Sequence, residues 1–456
     1  MPWRAWRRAL TTAVFAAAGL HCNLVTSFTD CSADRDCRLG ERCNPSGRYC
    51  EVPVGELCNG LDDDHDGVAD EAEDFGPCDA DRMPGMCRDG RRRCAGGRLT
   101  CVRRTSPQPE TCYNGIDDDC NGTVDDGASC VQNYPASMAV RIGSNDISTG
   151  EGDDAPEHRV CVAPFSIDKH EVSNRAFLTW LNTLDPSRFM VGTPPARLNT
   201  TIPYGTYVLY NAADTGAPNW LPLVLLPQPT ERGYDLSVRR RGTLFETLDA
   251  SIGDLPVVNV TWIAADRYCR WAGKQLPSEA EFFRAMQGDN GARLYPWGND
   301  APTCARANVS VGVNRAPCVG TGVGRPLPVA SLDMGTNPEG VFNLYGNVDE
   351  WMWDYLDRSS VTQPDGTTVY RNNYYASRMT DAMWCGDFPS GPLGPAMGAT
   401  ILEMGSTTVH RCTRCRFSRG RRYESTDLRP LIRKWMDADR AEPGIGFRCS
   451  AGGASR

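Results

Sequence analysis

The chain has 456 residues, with 48 Lys and Arg against 57 Asp and Glu and a formal net charge of −9. An acidic balance of this size excludes nucleic acid as the main partner, because phosphate recognition needs a basic face. With 45 Gly, 32 Pro and 40% hydrophobic residues, long regular helices should be few, and a turn-rich chain of two or three domains is expected.

Residues 1–21 read as an export signal: Arg4, Arg7 and Arg8 precede a short apolar run from Leu10 to Leu20. That run is too short to span a bilayer. Cys22 follows where a lipoprotein carries its acylated cysteine, although Gly19-Leu20-His21 departs from the usual Leu-small-small sequence. Any membrane attachment is therefore expected through lipid alone, and the protein is expected in the periplasm or at the cell surface. Of the 21 cysteines, setting Cys22 aside leaves an even number, as pairing in an oxidising compartment requires.

Residues 22–130 form a Cys-rich, Asp-rich region with few large apolar side chains. Disulfides and ions must replace a core there. Cys31, Cys37, Cys43 and Cys50 suggest a small knot, whose connectivity the spacing leaves open. One repeat is visible: Cys58-Asn59-Gly60-Leu61-Asp62-Asp63-Asp64-His65-Asp66-Gly67 recurs from Cys112 to Gly122, with Tyr113 inserted. Alternating carboxylates on a tight turn are what a hard divalent ion needs. In the first copy Asp62, Asp64 and Asp66 take loop positions one, three and five, Gly67 makes the turn, and Glu73 falls at position twelve. In the second, Asp117, Asp119 and Asn121 take the same positions, but Ala128 stands at twelve, so Asp125 or Asp126 must substitute. The alternative is a solvated acidic turn without an ion; the mutual repulsion of such close carboxylates favours calcium. Both copies resemble bacterial Asp-rich metal-binding repeats and are similar to thrombospondin-type and dockerin-like calcium loops.

Val131 to Pro135 reads as a linker, and residues 135–452 as the core-bearing domain. Within it, Thr261 to Ala272 has helical spacing of Trp262, Ala265, Tyr268 and Cys269. Ser278 with Glu281 three residues on predicts a capping box opening a second helix. Gly320-Thr321-Gly322-Val323-Gly324 lacks a strand-to-helix context and reads as a loop rather than a nucleotide site.

Four stretches in this domain resemble the formylglycine-generating enzyme, or sulfatase-modifying factor, family: APEHRVCVAPFSIDKHEVSNRAFLTWL (155–181), LPVVNVTWIAADRYCRWAGKQLPSEAEFFRAMQG (255–288), YPWGND (295–300), and GVFNLYGNVDEWMWD (340–354) with GFRC (446–449). The resemblance implies an irregular α+β fold, C-type-lectin-like, with low regular secondary structure, and a disulfide between Cys269 and Cys449. A second family disulfide would need cysteines at Ala285 and Gly420, and both are absent together. It also implies calcium held by side-chain oxygens of Asn343 and Glu350 and carbonyls of Gly346 and Val348; the alternative is a hydrogen-bonded turn before Trp351 and Trp353. A further family calcium site would begin at Asn308-Val309, but its later aspartate is missing, and a disulfide between Cys304 and Cys318 is expected to brace that loop instead.

Active members of the family bind copper(I) through two cysteines separated by four residues. Cys415 matches the second, His410 stands at the first, and Cys412 lies two residues late. Three readings stay open: copper held in altered geometry, disulfides including one to Cys385, or a dead site. Asp349 stands where active members carry Trp. The iron oxygenases that share this fold rely on a histidine cluster, whereas the five histidines here, His21, His65, His158, His170 and His410, form none in sequence. Two functions from different classes follow. One is copper- and O2-dependent oxidation of a protein or peptide cysteine to formylglycine, resting on Cys415 with Cys412 or His410. The other is a non-catalytic lectin-like module binding a peptide or glycan at the cell surface.

Overall fold

A computed structural model of the chain describes residues 25–30, 32, 42–44, 49–51, 57–61, 68–70, 75–80, 89–95, 97–142, 158–193, 206–214, 217–226, 238–247, 249–289, 291–311, 316–318, 324–355, 359–362, 368–371, 415–426, 428, 430 and 434–452. Residues 1–21, Cys22, Cys31, Cys37, Asp62, Asp64, Asp66, Glu73, Cys385, His410 and Cys412, named above, lie outside them. The chain divides into two compact units, one of Met1–Arg82 with Arg88–Thr105 and the other of Met83–Cys87 with Ser106–Arg456.

The smaller unit carries two three-stranded antiparallel sheets. Strands β1 (Val25–Asp30), β2 (Arg42–Asn44) and β3 (Tyr49–Glu51) run in the order β1-β3-β2, and β4 (Pro77–Asp79), β5 (Asp89–Ala95) and β6 (Arg98–Arg103) in the order β4-β5-β6. Few of its described residues are buried, and disulfides Cys58–Cys94 and Cys78–Cys101 staple it. Covalent crosslinks here do the work that apolar burial does in a larger domain.

The larger unit is mostly β and irregular, with three short α-helices among the described residues. In chain order it has β7 (Val131–Tyr134), β8 (Ser137–Ile142), β9 (His158–Val162), β10 (Phe165–Asp168), α1 (Asn174–Leu181), β11 (Phe189–Gly192), β12 (Thr206–Asn211), β13 (Trp220–Leu226), β14 (Val238–Arg241), β15 (Leu244–Thr247), α2 (Trp262–Trp271) and α3 (Glu279–Gln287). Then come β16 (Asp349–Tyr355), β17 (Ser359–Thr362), β18 (Thr368–Arg371), β19 (Cys415–Arg419), β20 (Lys434–Asp437), β21 (Ile445–Gly446) and β22 (Ser450–Gly452). The central four-stranded sheet has the order β20-β19-β16-β21, with β16 antiparallel to β19 and parallel to β21. β10 lies between β7 and β22, so both ends of the unit close on one sheet.

Each helix starts on a hydroxyl cap: Ser173, Thr261 and Ser278 accept from the N–H three residues on, and Ser278 with Glu281 completes a capping box. Such caps satisfy N–H groups that a helix start leaves without partners. One buried cluster gathers α1 and α2 around Phe177, Trp180, Tyr268, Trp351 and Phe447; another gathers α3 around Phe282, Phe283, Leu344, Met352 and Phe417. Disulfides join Cys269 to Cys449, Cys304 to Cys318 and Cys112 to Cys130.

The second acidic loop, grouped by sequence with residues 22–130, packs within the larger unit. Its Val124 is buried in the core beside Ala176 and Ala272, and the Val124 N–H donates to the Ala272 carbonyl at 3.0 Å. The larger compact unit therefore takes in the chain from Ser106 onward, this loop included. The reason is local: Gly115 (φ +72°) lies so close to α1 that a Cβ there would sit 2.6 Å from the Ala176 backbone, and Gly273 (φ +74°) admits the Gly122 carbonyl. Two glycines make room for the loop to dock.

Candidate functional site

The two acidic loops are built alike. In the first, Asp70 accepts the N–H groups of Asn59 and Gly60 while the Asn59 side chain accepts from Leu61. In the second, Asp125 accepts those of Asn114 and Gly115 while Asn114 accepts from Ile116. Asp70 and Asp125 both have positive φ, at 60° and 53°. One turn conformation thus serves both copies, although Asp62, Asp64, Asp66 and Glu73 fall outside the described residues.

The described loop sorts its carboxylates into two roles. Asp117 is fully buried and accepts the N–H groups of Asn121 and Gly122. Asp118 accepts from Thr111 and from the Asn114 amide. These groups, with Asp125, shape the turn. Glu110, Asp119 and Asp126 instead bring carboxylate oxygens within 4.8 Å of one another. The Asn121 amide bridges Asp119 and Asp126 with bonds of 3.0 to 3.1 Å. The structure thus gathers Asp119, Asn121 and Asp126 of the sequence candidates and adds Glu110, while Asp117 and Asp125 are committed to the backbone. Burial raises the Glu110 and Asp117 carboxyls above their usual range, as expected where acids crowd without a neutralising charge. Glu110 precedes the acidic run and was missed by loop-position counting. Its signal is the Glu-x-Cys pair opening each copy, Glu56-Leu57-Cys58 and Glu110-Thr111-Cys112.

Behind this loop, Asp125, Asp168, His170, Glu171, Tyr268 and Lys274 line a cavity. Lys274 donates to the Asp125 carbonyl at 2.9 Å and to the Asp168 carboxylate at 2.7 Å, and Asp168 also accepts the Cys449 N–H at 3.0 Å. One ammonium group thus ties the acidic loop to β10. Burial pushes Asp125 up to about 7. His170 stacks on Phe342 at 4.7 Å and meets Tyr113 edge-on at 5.1 Å, and burial followed by the Arg448 charge lowers it to about 4.

The segment from Asn343 to Glu350 lies on the far side of Glu171. Asn343 (φ +53°), Gly346 (φ +92°) and Asn347 (φ +68°) wind it into a tight turn, and Asn343, Gly346, Val348 and Glu350 are all buried. Glu171 accepts from the amides of Asn343 at 3.0 Å and Asn347 at 2.9 Å, and burial pushes it up to about 7. Glu350 takes a two-pronged ion pair from Arg448, 2.7 Å on each arm, with both side chains 0% exposed. Its carboxylate, expected as a cation ligand, is thus already neutralised by a guanidinium. Nearby, the amide of fully buried Asn308 donates to the Asn347 side chain and the Arg325 carbonyl while its Oδ1 has no partner.

Cys415 is the first residue of β19, opposite Asp437 of β20. Next along that strand, Arg416 lies 3.6 Å above the Trp262 ring and donates to the Trp353 carbonyl. Asp349, at the head of β16, is 2% exposed; it accepts the Arg421 N–H at 3.1 Å and an ion pair from Lys434 at 2.7 Å. His410 and Cys412 fall outside the described residues.

Comparison with known proteins places these features in context. A model of the sulfatase-modifying factor enzyme 1-like domain matches residues 125–451. A model of a metal-binding motif of the MopE copper-binding type matches residues 54–71 and 102–126. The chain is 27% identical over 320 residues to the formylglycine-generating enzyme of Mus musculus, covering 68% of this chain and 72% of that protein. It is 28% identical over 316 residues to the formylglycine-generating enzyme of Streptomyces coelicolor, covering 65% of this chain and 81% of that one. A shorter match, 35% identical over 112 residues and 24% of each chain, is to the hercynine oxygenase of Mycolicibacterium smegmatis. The domain match spans well over half the chain, from the docked acidic loop to the last strand, and the chain belongs to the sulfatase-modifying factor, or formylglycine-generating enzyme, family.

Proposed function

We propose that the chain is an exported oxidoreductase of this family that acts on a cysteine of a protein or peptide, with Cys415 as a soft ligand for copper. Export fits the disulfides of both units, since structural disulfides persist in oxidising compartments. The observation that carries the reading is the place of Cys415 at the head of a central strand, in a domain matched over residues 125–451. A thiolate is the donor type copper(I) takes, so Cys415 fits the group; Cys412 or His410 would supply the second donor. When bound, copper supplies activation of O2. The chain's own residues hold the surroundings: β19 is fixed between β16 and β20, and Arg416 is held against Trp262.

One observation favours a second reading. Asp349, at the position of the family's Trp, puts a buried carboxylate paired with Lys434 beside that strand. This favours a non-catalytic, lectin-like scaffold that presents a peptide or glycan surface. Titration of the reduced full chain with copper(I) separates the two. Tight stoichiometric uptake that is lost in Cys415→Ser supports the oxidase; no uptake, or uptake unchanged in Cys415→Ser, overturns it and leaves the binding module.

Calcium is the ion proposed for the acidic loops and for the segment of Asn343, Gly346, Val348 and Glu350. Three carboxylates within 4.8 Å form a hard, all-oxygen donor set. At the second segment the support is the tight, buried turn itself, in which the Asn343 amide donates to Glu171. Calorimetric titration with calcium is expected to lose one site in Glu110→Gln/Asp126→Asn; an unchanged stoichiometry removes the loop from the set.

A further inference from the structure

The chain contains four Asn-Gly pairs, and Asn59-Gly60, Asn114-Gly115 and Asn121-Gly122 all fall in the acidic loops. The fourth, Asn290-Gly291, includes a residue outside those described. An Asn-Gly pair is where a backbone nitrogen most easily attacks the preceding side-chain amide, because glycine puts no Cβ in its way. Two groups speed such an attack: an acceptor for the proton of that nitrogen, and a donor to the oxygen on which charge gathers.

Both are in place around Asn121. The Gly122 N–H donates to the Asp117 carboxylate at 3.0 Å, and the Asn121 Oδ1 accepts the Thr123 N–H at 2.8 Å. The side chain that would react is exposed. Asn114 has the same pair of bonds, from Gly115 to Asp125 at 3.1 Å and from Ile116 to its own Oδ1 at 2.7 Å. Its surroundings differ. The Asn114 carbonyl, which would become part of the new ring, is held by Thr179 at 3.2 Å, and buried Gly115 is pressed against the Ala176 backbone. Asn59 again has both bonds, from Gly60 to Asp70 and from Leu61 to its Oδ1, and it is exposed, with nothing within 4 Å of the missing Gly60 Cβ. Asn121 and Asn59 thus have room to close a ring that α1 denies to Asn114. Only Asn121 lies in the alternating acidic run itself, where the first copy has Asp66 in the corresponding place.

We propose that Asn121 is a self-modification site that converts to a carboxylate without an enzyme. The Gly122 nitrogen bonds to the Asn121 side-chain carbon while Asp117 takes its proton. The bond from that carbon to Nδ2 then breaks, and ammonia leaves with the proton. Water opens the resulting cyclic imide at either carbonyl, giving aspartate or isoaspartate, so that one water is consumed and one ammonia released. The consequence for the loop rests on its reading as an ion site. The Asn121 amide now bridges Asp119 and Asp126 as a hydrogen-bond donor, whereas a carboxylate in its place repels both unless a cation sits among them.

The test holds the full, disulfide-intact chain in mildly alkaline buffer, beside a sample unfolded in urea, and weighs each Asn-Gly peptide after digestion in weak acid. The Asn121 peptide is expected to gain the mass of an amide-to-acid change faster in the folded chain than in the unfolded one. Asn114 in the folded chain should lag on the order of tenfold behind, since its ring must first break the bond to Thr179. Asp117→Asn keeps a hydrogen-bond acceptor but removes the base; it should slow Asn121 and leave Asn59 unchanged. The proposal is overturned if folding does not speed Asn121, if Asn114 keeps pace with it, or if Asp117→Asn converts as fast as wild type. The comparison of folded with unfolded wild type decides the matter even where that variant fails to fold. Calcium calorimetry of Asn121→Asp tests the ion reading separately: tighter binding than wild type supports it, and unchanged binding overturns the consequence for the loop while the mass data still judge the modification.

Discussion

Replacing Gly115 by Ala tests whether the second acidic loop is a working part of the larger unit. Two separate costs arise. Alanine at φ +72° costs about 1 kcal/mol from backbone strain alone. Its methyl group would also sit 2.6 Å from the Cα and carbonyl oxygen of Ala176, which helix α1 cannot move without disturbing Phe177 and Trp180 in the core. The loop must back away instead. Doing so breaks the bonds from Ser173 to the Tyr113 carbonyl, 2.7 Å, and from Thr179 to the Asn114 carbonyl, 3.2 Å. At about 1 kcal/mol each, the total comes to about 3 kcal/mol. For a unit of roughly 350 residues the unfolding entropy is about 0.7 kcal/mol per degree, so the midpoint should fall by about 4 °C. Gly340→Ala is the control: it has the same strain at φ +80° and nothing within 4 Å, and should lose only about 1 °C. Scanning calorimetry of both variants measures the difference. Equal shifts would refute the claim that the loop presses on α1.

Acid sensitivity follows from His170. Its folded value of about 4 lies below the ordinary 6.5, so the unfolded chain binds the extra proton first; stability is whole above about pH 6.5 and declines by up to about 3 kcal/mol as pH falls to 4. His170→Phe, which keeps the stacking on Phe342, should flatten that limb in denaturant melts between pH 4 and 7; a limb of unchanged slope assigns the loss elsewhere. Replacing Cys269 and Cys449 together with Ser should cost about 5 kcal/mol in the chain-entropy picture for a separation of 180 residues, read from guanidinium midpoints, and a loss under 1 kcal/mol contradicts it. Lys274→Met strips the buried counter-charge from Asp168 and the clamp from the Asp125 carbonyl. A loss of about 3 kcal/mol is expected, and a variant as stable as wild type shows that water replaces the ammonium.

What the sequence disclosed was local. Helices α2 and α3 were readable from Thr261 and Ser278, because a cap and the stripe that follows lie within one turn of each other. The acidic loops were readable as loops, but the division of labour inside them was not. Spacing places Asp117 and Asp119 alike, whereas only the fold shows that Asp117 turns inward to the backbone while Asp119 meets Glu110 and Asp126. The pairings that define the interior were illegible for another reason. Glu171 with Asn343 and Asn347, Glu350 with Arg448, and Asp349 with Lys434 join residues 85 to 176 positions apart, and no local pattern encodes such partners. The docking of the second acidic loop was illegible because the burial of Val124 beside Ala176 and Ala272 depends on glycines at two distant positions.

The crosslink between Cys269 and Cys449 makes the intervening polypeptide a closed ring. A protease that nicks this ring once cannot release a fragment, since both new ends stay fastened to the same body. Cleaved and intact molecules should therefore migrate together on a gel run without reductant, and the cleaved ones should separate into two pieces once dithiothreitol is added.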